Sequence, residues 1–287
     1  MIDLHVHSTM SDGTYSPSEI AKLAYEKNIR GFALTDHDSI AGNEEARISA
    51  KVYNVDFLNG IEMSLAYDNH QIHVVALGFD SKNSAFLQYY TKLRKNKKES
   101  IHSVVDYLKK QGLDISIEKV QRCATNKEID KYSIMRYLIK LFSVTGSVQP
   151  LWDKYLDPAF KNLQIKENPP AEYAIDCIHK AGGVTSLAHF HKKIGFLGYN
   201  RDEQEYHIKY LHDMGLDGME AFYPNYSKDD EAFADYLIKK YKLLPTGGTD
   251  FHGKNRPAVE LGTGIKNNIN VPYSFFEDIY KKINTNR

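Results

Sequence analysis

A chain of 287 residues is long enough to bury a full core, as one large α/β domain or as such a domain carrying an insertion. Its 37 basic and 37 acidic side chains cancel, which argues against the basic face that duplex DNA requires, though not against a small phosphorylated substrate. Two distant cysteines (Cys123, Cys177), an opening MIDLHVHS without a leader pattern and no membrane-length apolar run make a cytoplasmic protein off the membrane the expectation.

In chain order, Ile2 to Val6 reads as a short strand and Ser8 to Tyr15 as a polar loop. Ser16-Pro17-Ser18-Glu19 combines capping-box spacing with proline at the first helical position, predicting a helix over Pro17 to Lys27. Gly31 to Thr35 is the next strand and ends at Asp36-His37, so the first third opens with a βαβ unit. Asp56 to Leu65 and Ile72 to Phe79 form two more strands. A four-residue loop, Ala66 to Asn69, would pair Leu65 with His70 and set Glu62 opposite His73.

From Ala85 to Pro170 the pattern changes to helical spacing, as in Leu87, Tyr90 and Leu93 and again over Tyr132 to Phe142. This stretch reads as a helical insertion between two parts of one barrel, residues 1–84 and 171–287. Its basic run Lys92 to Lys98 reads as a solvated helix face. A helix over Ala171 to Ala181 then leads to a strand at Gly183 to Ala188. Gly218 to Tyr223 and Leu243 to Gly247 complete six or seven strands, with a helix over Asp229 to Tyr241 between them. Alternating strands and helices predict an α/β barrel or open sheet, with function at the carboxyl ends of the strands.

Imidazoles and carboxylates recur where those apolar runs end: His5, His7, Asp12, His37, Glu62, His73, His189, Asp250 and His252. Residues two apart on a strand point the same way, so His5 and His7 can grip one cation, and Asp250 and His252 share that spacing. In Thr35-Asp36-His37-Asp38 the turn decides which side chains face inward; Asp38 could cap the next segment or orient His37. Singly, each cluster has an ordinary reading as exposed histidines, a turn or a cross-strand ion pair. Together they predict a multinuclear metal site, because converging carboxylates repel unless cations lie between them. Imidazole and carboxylate without thiolate suits Mn, Fe or Zn. His191 reads as surface or as a neighbour of the site, and His102, His179, His207 and His212 as structural or solvated helix residues.

Leu4-His-Val-His-Ser8, Ser11-Asp12-Gly13, Leu34-Thr-Asp-His-Asp38, Gly60-Ile-Glu62, His73-Val-Val-Ala-Leu-Gly78, Leu187-Ala-His189 and Thr246-Gly-Gly-Thr-Asp-Phe-His-Gly253 resemble the motifs of the PHP (polymerase and histidinol phosphatase) family. The nearest group in kind is the bacterial stand-alone phosphoesterases acting on nucleoside 3′,5′-bisphosphates, some of which trim short RNA from its 5′ end. The resemblance implies a distorted (β/α)7 TIM-like barrel with a trinuclear site, often manganese. It implies one metal on His5, His7, Glu62 and Asp250, a second on Asp12, His37 and His252, and a third on Glu62, His73 and His189. A metal-bridged hydroxide attacking phosphorus follows by the same likeness, with His37, Asp250 and His252 at the reaction centre. Other readings within reach are an exoribonuclease on short RNA, a histidinol-phosphate phosphatase and a non-catalytic metal-stabilised module.

Two departures bear on substrate. Phe190 stands where the family commonly has proline, and Lys131-Tyr-Ser-Ile-Met-Arg136 stands where related nucleotidases carry an Arg-Pro-His type motif. Lys131 and Arg136 could grip a second phosphate, or could lie on an exposed helix face. Tyr132 and Tyr137 could stack a base, though core packing is the commoner use of such rings.

Overall fold

The computed structural model describes residues 1–125, 129–165 and 168–286. Parts of the expected insertion, 126–128 and 166–167, and residue 287 of the expected second barrel segment lie outside the described residues.

Strand β1 (Ile2–Val6) leads to helix α1 (Pro17–Glu26), whose amino end carries the expected capping box. The Ser16 hydroxyl accepts from Glu19 N (3.2 Å) and the Glu19 carboxylate from Ser16 N (2.7 Å). Lys27 caps the helix rather than continuing it. There follow β2 (Gly31–Leu34), α2 (Asn43–Tyr53), β3 (Asp56–Tyr67) and β4 (His70–Leu77), then α3 (Ser84–Lys110). Next come α4 (Ile117–Gln121), α5 (Lys131–Phe142), α6 (Gln149–Leu151), a π-helical turn (Trp152–Leu156) and α7 (Asp157–Asn162). The chain resumes alternation with α8 (Ala171–Lys180), β5 (Val184–Leu187), α9 (Arg201–Asp213), β6 (Gly218–Phe222), α10 (Lys228–Tyr241), β7 (Leu244–Gly247) and α11 (Tyr273–Asn286).

The seven strands form one sheet in sequence order. All neighbours are parallel except β4, which runs antiparallel to both β3 and β5. The sheet curls until the turn after β7 meets β1: His7 N donates to Phe251 O (2.9 Å) and Asp250 N to His5 O (2.8 Å). Because β4 is reversed, its first residues reach the end of the sheet where the other strands finish. That places His73 beside residues that follow their strands.

The hairpin register differs from the expected one. Tyr67 pairs with His70, Ser64 with His73, and Glu62 with Val75. The loop is two residues, Asp68-Asn69, not four, and Asp68 takes a left-handed φ of 50° suited to a tight hairpin turn. The register moves by two residues, so Glu62 and His73 stay on one face as diagonal neighbours. The contact survives: His73 Nδ1 lies 2.8 Å from Glu62 Oε1.

The chain divides into two compact units, residues 1–89 with 168–287, and residues 90–167. In the first, Ile2, Leu4, Leu77, Val184, Val271, Ile279 and Ile283 belong to one buried apolar cluster; Val6, Ile20, Phe32, Leu34 and Leu261 belong to another. In the second, Ile101, Val104, Leu108, Ile134, Leu138 and Leu156 share a cluster, and every helix or strand assigned among its described residues is helical. The Lys92–Lys98 run is not wholly solvated. Lys92, Lys95 and Lys98 are exposed, but Lys97 is buried because it falls four residues after Leu93 and four before Ile101, on the inward stripe of the helix.

Candidate metal centre

The ligand-type residues meet at the end of the sheet where six strands finish and β4 begins. His5 sits on β1 and His7 just beyond it, on the same side by the two-residue period. Asp36 folds the loop after β1, accepting from Ser8 N (2.8 Å), Ser8 Oγ (2.6 Å) and Ser11 Oγ (2.6 Å). This turns Asp12 back toward His7. The loop closes only on a glycine at position 13, where a Cβ would lie 2.3 Å from His7 O. Asp38, at φ 49°, ties the turn after β2 to β3, its carboxylate accepting from Ser64 N (2.9 Å). His37 is thereby left facing Glu62.

The opposite rim is built around a second close approach. A Cβ on Gly248 would stand 2.4 Å from His5 N, so only glycine lets this turn pack against β1. Buried Asp3 fastens the turn by accepting from Thr249 N (2.9 Å), Thr249 Oγ1 (2.6 Å) and Gly262 N (2.9 Å). Asp250 (φ 53°) and His189 (φ 27°) both hold left-handed backbone conformations that side chains rarely adopt.

Glu62 is the hub. Its Oε1 lies 2.8 Å from His73 Nδ1 and 2.9 Å from His189 Nε2. Its Oε2 lies 2.8 Å from His37 Nδ1 and 3.3 Å from each Nε2 of His5 and His7. Asp250 Oδ1 stands 3.2 Å from His7 Nε2, 3.4 Å from His252 Nδ1 and 3.7 Å from His5 Nε2. Asp12 closes the other side, 3.2 Å from His252 Nε2 and 3.7 Å from His37 Nε2. Three sets have mutually close ligand atoms: His5, His7, Glu62 and Asp250; His7, Asp12, His37 and His252; His37, Glu62 and His73.

The electrostatics of this pocket call for cations. Burial works against ionised Glu62 and Asp250, yet the surrounding imidazoles, with Lys192 beside Asp250, hold both carboxyls well below their usual range. Burial likewise drives His37 down to about 4 and His189 down to about 3, leaving neutral rings against ionised carboxylates. His7 feels the same burial, but Asp250 and Glu62 outweigh it and push it up to about 10. Several buried ligand atoms, among them His5 Nε2, both ring nitrogens of His7 and Glu62 Oε2, have no aligned hydrogen-bond partner among the described residues. Orphaned lone pairs on a mixed imidazole and carboxylate set fit divalent metal ions, which would take the place of the missing protons.

All nine residues singled out in the sequence belong to this pocket. His191 lies beside it, half-buried with its ring 4.9 Å from Tyr226 and 5.4 Å from Tyr223. Phe190 is fully buried against Tyr226 and Phe233, a core contact. Within the other unit, Arg136 is half-buried, its Nε donating to Cys123 O (2.7 Å), and the Lys131 ammonium sits 5.2 Å from the Tyr132 ring. Tyr132 is buried, and Tyr137 packs against that unit's core.

Four residues escaped the sequence reading. Glu220, buried on β6, lies behind two of the nine: its Oε1 is 2.7 Å from His5 Nδ1 and its Oε2 accepts from His189 N (2.6 Å). A carboxylate on the far nitrogen fixes which ring nitrogen of His5 faces the centre. Tyr223, Lys192 and Arg256 gather on Asp250 Oδ2 at 2.7, 3.0 and 2.6 Å. The acid within the apolar run Gly218-Met-Glu-Ala-Phe222 was the available signal for Glu220; the other three lie in turns whose paths spacing does not reveal.

Comparison with known proteins agrees with this geometry. Residues 3–243 match the PHP domain family. The chain belongs to that family. A 5′-3′ exoribonuclease of Haemophilus influenzae is 33% identical over 256 residues, covering 87% of this chain and 89% of the relative. A 3′,5′-nucleoside bisphosphate phosphatase of Chromobacterium violaceum is 28% identical, covering 91% and 90%. Among solved structures, an amidohydrolase from Chromobacterium violaceum, with bound sulfate and no metal, aligns at a TM-score of 0.80 with 26% identity over 98% of this chain and 96% of that one. As a PHP protein the chain is a metal-dependent phosphoric ester hydrolase.

Proposed function

We propose that the chain hydrolyses a phosphate monoester of a small phosphorylated substrate, and that this substrate is a nucleoside 3′,5′-bisphosphate losing its 3′-phosphate. The observation that carries the reading is Glu62, whose single carboxylate lies within 3.3 Å of five imidazoles. Similarity to the Chromobacterium violaceum phosphatase supports the choice of substrate. A second reading, 5′-3′ hydrolysis of short RNA, is favoured by the 33% identity to the Haemophilus influenzae exoribonuclease.

On this reading the first unit is a distorted (β/α)7 barrel, and residues 85–170 are an insertion serving as a substrate-recognition lid. His5, His7, Glu62 and Asp250 would hold one cation, Asp12, His37 and His252 a second, and Glu62, His73 and His189 a third. Manganese is the proposed metal, with iron or zinc as the alternatives that the same donors accept. Bound cations would activate water and offset charge on the phosphoryl oxygens. The protein's part is to fix the donors and leave one side open. Asp12, His37 and His252 have the most exposed side chains of the nine, at 25%, 10% and 9%, so the phosphate would approach from their side. There His37, Asp250 and His252 would border the reacting group, and solvent would protonate the leaving oxygen. Lys131, half-buried and, among the described residues, not tied to a backbone carbonyl as Arg136 is, is the better candidate for a second phosphate. Two free, buried cysteines suit the proposed cytoplasmic setting, and no helix among the described residues is long and apolar enough to cross a membrane.

Turnover of nucleoside 3′,5′-bisphosphates, mononucleotides, short RNA and histidinol phosphate with manganese tests the proposal. Activity confined to histidinol phosphate would overturn the substrate, and preference for oligomers longer than two nucleotides would favour the second reading. His37→Ala should abolish turnover with the fold retained; wild-type kcat would move the chemistry elsewhere.

A further inference from the structure

Asp250 presents its two oxygens to different surroundings. Oδ1 faces the imidazoles of His5, His7 and His252, while Oδ2 meets Tyr223, Arg256 and Lys192. The three groups on Oδ2 are held unequally. Tyr223 is almost fully buried and donates its hydroxyl at 2.7 Å. Arg256 is anchored elsewhere as well, donating to Asp250 O (2.8 Å) and to Asn225 Oδ1 (3.0 Å). Lys192 makes one ion pair among the described residues, at 3.0 Å, on a side chain that remains 35% exposed. Its ammonium also stands 4.8 Å from the face of Tyr223. If Lys192 departs, Oδ2 keeps two donors and nothing buried is left unpaired.

We infer that Lys192 is a substrate ligand, which leaves Asp250 to bind a non-bridging oxygen of the phosphate under attack. The inference rests on the phosphoesterase reading above. An oxygen of Asp250 already shared by tyrosine and arginine competes poorly for an ammonium against a phosphate dianion. A flexible four-carbon stem lets the charge move a few ångströms without backbone change. Lys192 follows His189 by three residues, and its backbone N–H donates to His189 O (3.0 Å), so its base is fixed to the centre while its tip is free to exchange. Its reach is the phosphate at the metal centre.

Lys192→Met and Lys192→Arg, compared with wild type, test this by three readouts: bound metal per chain, calorimetric affinity for inorganic phosphate, and steady-state kinetics. Lys192→Met should keep its metal, bind phosphate about tenfold more weakly and lose about 100-fold in kcat/KM. Lys192→Arg should recover most of both losses. Phosphate affinity and kcat/KM within twofold of wild type in Lys192→Met would overturn the inference. So would activity lost together with metal, since the lysine would then serve Asp250 alone. An inactive wild type on every phosphate ester would sink the underlying reading instead, a result distinct from an active wild type with an indifferent lysine variant.

Discussion

The two faces of β1 are equally buried and chemically opposite. Ile2, Leu4 and Val6 belong to apolar clusters, while Asp3 and His5, with His7 just beyond the strand, alternate with them on the other face. Strand β3 repeats the division, with Ile61, Met63 and Leu65 alternating with Glu62 and Ser64, all buried. The apolar face is stabilised by removal from water alone. The polar face costs desolvation and is balanced only by partners, some provided by the chain (Thr249 for Asp3, Glu220 for His5) and some that metal ions would provide. Burial therefore means different things on the two sides of one strand. One side sets stability, and the other makes stability depend on what is bound.

Changing one face at a time can break or sharpen that contrast. The largest effect is expected from Glu62→Gln, which keeps the shape of the hub and removes its charge. It should lower kcat/KM by about 10³, reduce metal per chain by elemental analysis, and abolish the drop in Tm that a chelator produces in wild type. An unchanged metal content would refute the shared-carboxylate account. On the apolar face, Leu4→Ala should cost about 2–5 kcal/mol in denaturant unfolding while leaving metal content alone. A loss of metal there would mean that the two faces are not separable.

Glu220→Gln tests the support behind the ligands. The amide can still accept from His189 N–H or contact His5, but it no longer supplies a full charge to His5 Nδ1. Metal affinity should fall by about 10–100-fold, read by competition with a fluorescent chelator, with the circular dichroism spectrum retained. The smallest effect concerns the ordinary surface of the first unit. The hydrogen bond that His179 Nε2 donates to Asp217 Oδ2, at 2.8 Å, raises the His179 pKa against the opposing effect of burial. The stability this pair contributes is fully present below about pH 6.5, the ordinary histidine value, and is lost as pH rises through the raised folded value. At a side-chain exposure of 34% its magnitude should be under about 1 kcal/mol. His179→Asn should flatten that part of the pH dependence of Tm and leave the metal centre untouched.

The strand ends and their ligands were legible because strand periodicity and apolar runs are local signals. His5 with His7, and Asp250 with His252, follow from the two-residue repeat and the end of a run. The hairpin register was legible too but misjudged, since Asp68-Asn69 between Tyr67 and His70 is a sequence suited to a two-residue turn. The contact of Glu62 with His73 tolerated the error because a shift of two preserves the face. Lys97 shows the converse: composition marked it as solvated, while helical spacing from Leu93 to Ile101 buries it. Glu220 offered one local signal, an acid inside an apolar run, whereas Lys192, Tyr223 and Arg256 depend on how the turns after β5, β6 and β7 close against Asp250. Those are long-range facts with no local sequence signature.

Anomalous diffraction at the manganese edge from crystals of the reconstituted protein tests the central claim most directly. The account expects manganese peaks bonded to Glu62, at least one of them also reaching His5, His7 and Asp250. A fully reconstituted crystal with these side chains in contact and no anomalous peak among them would contradict it.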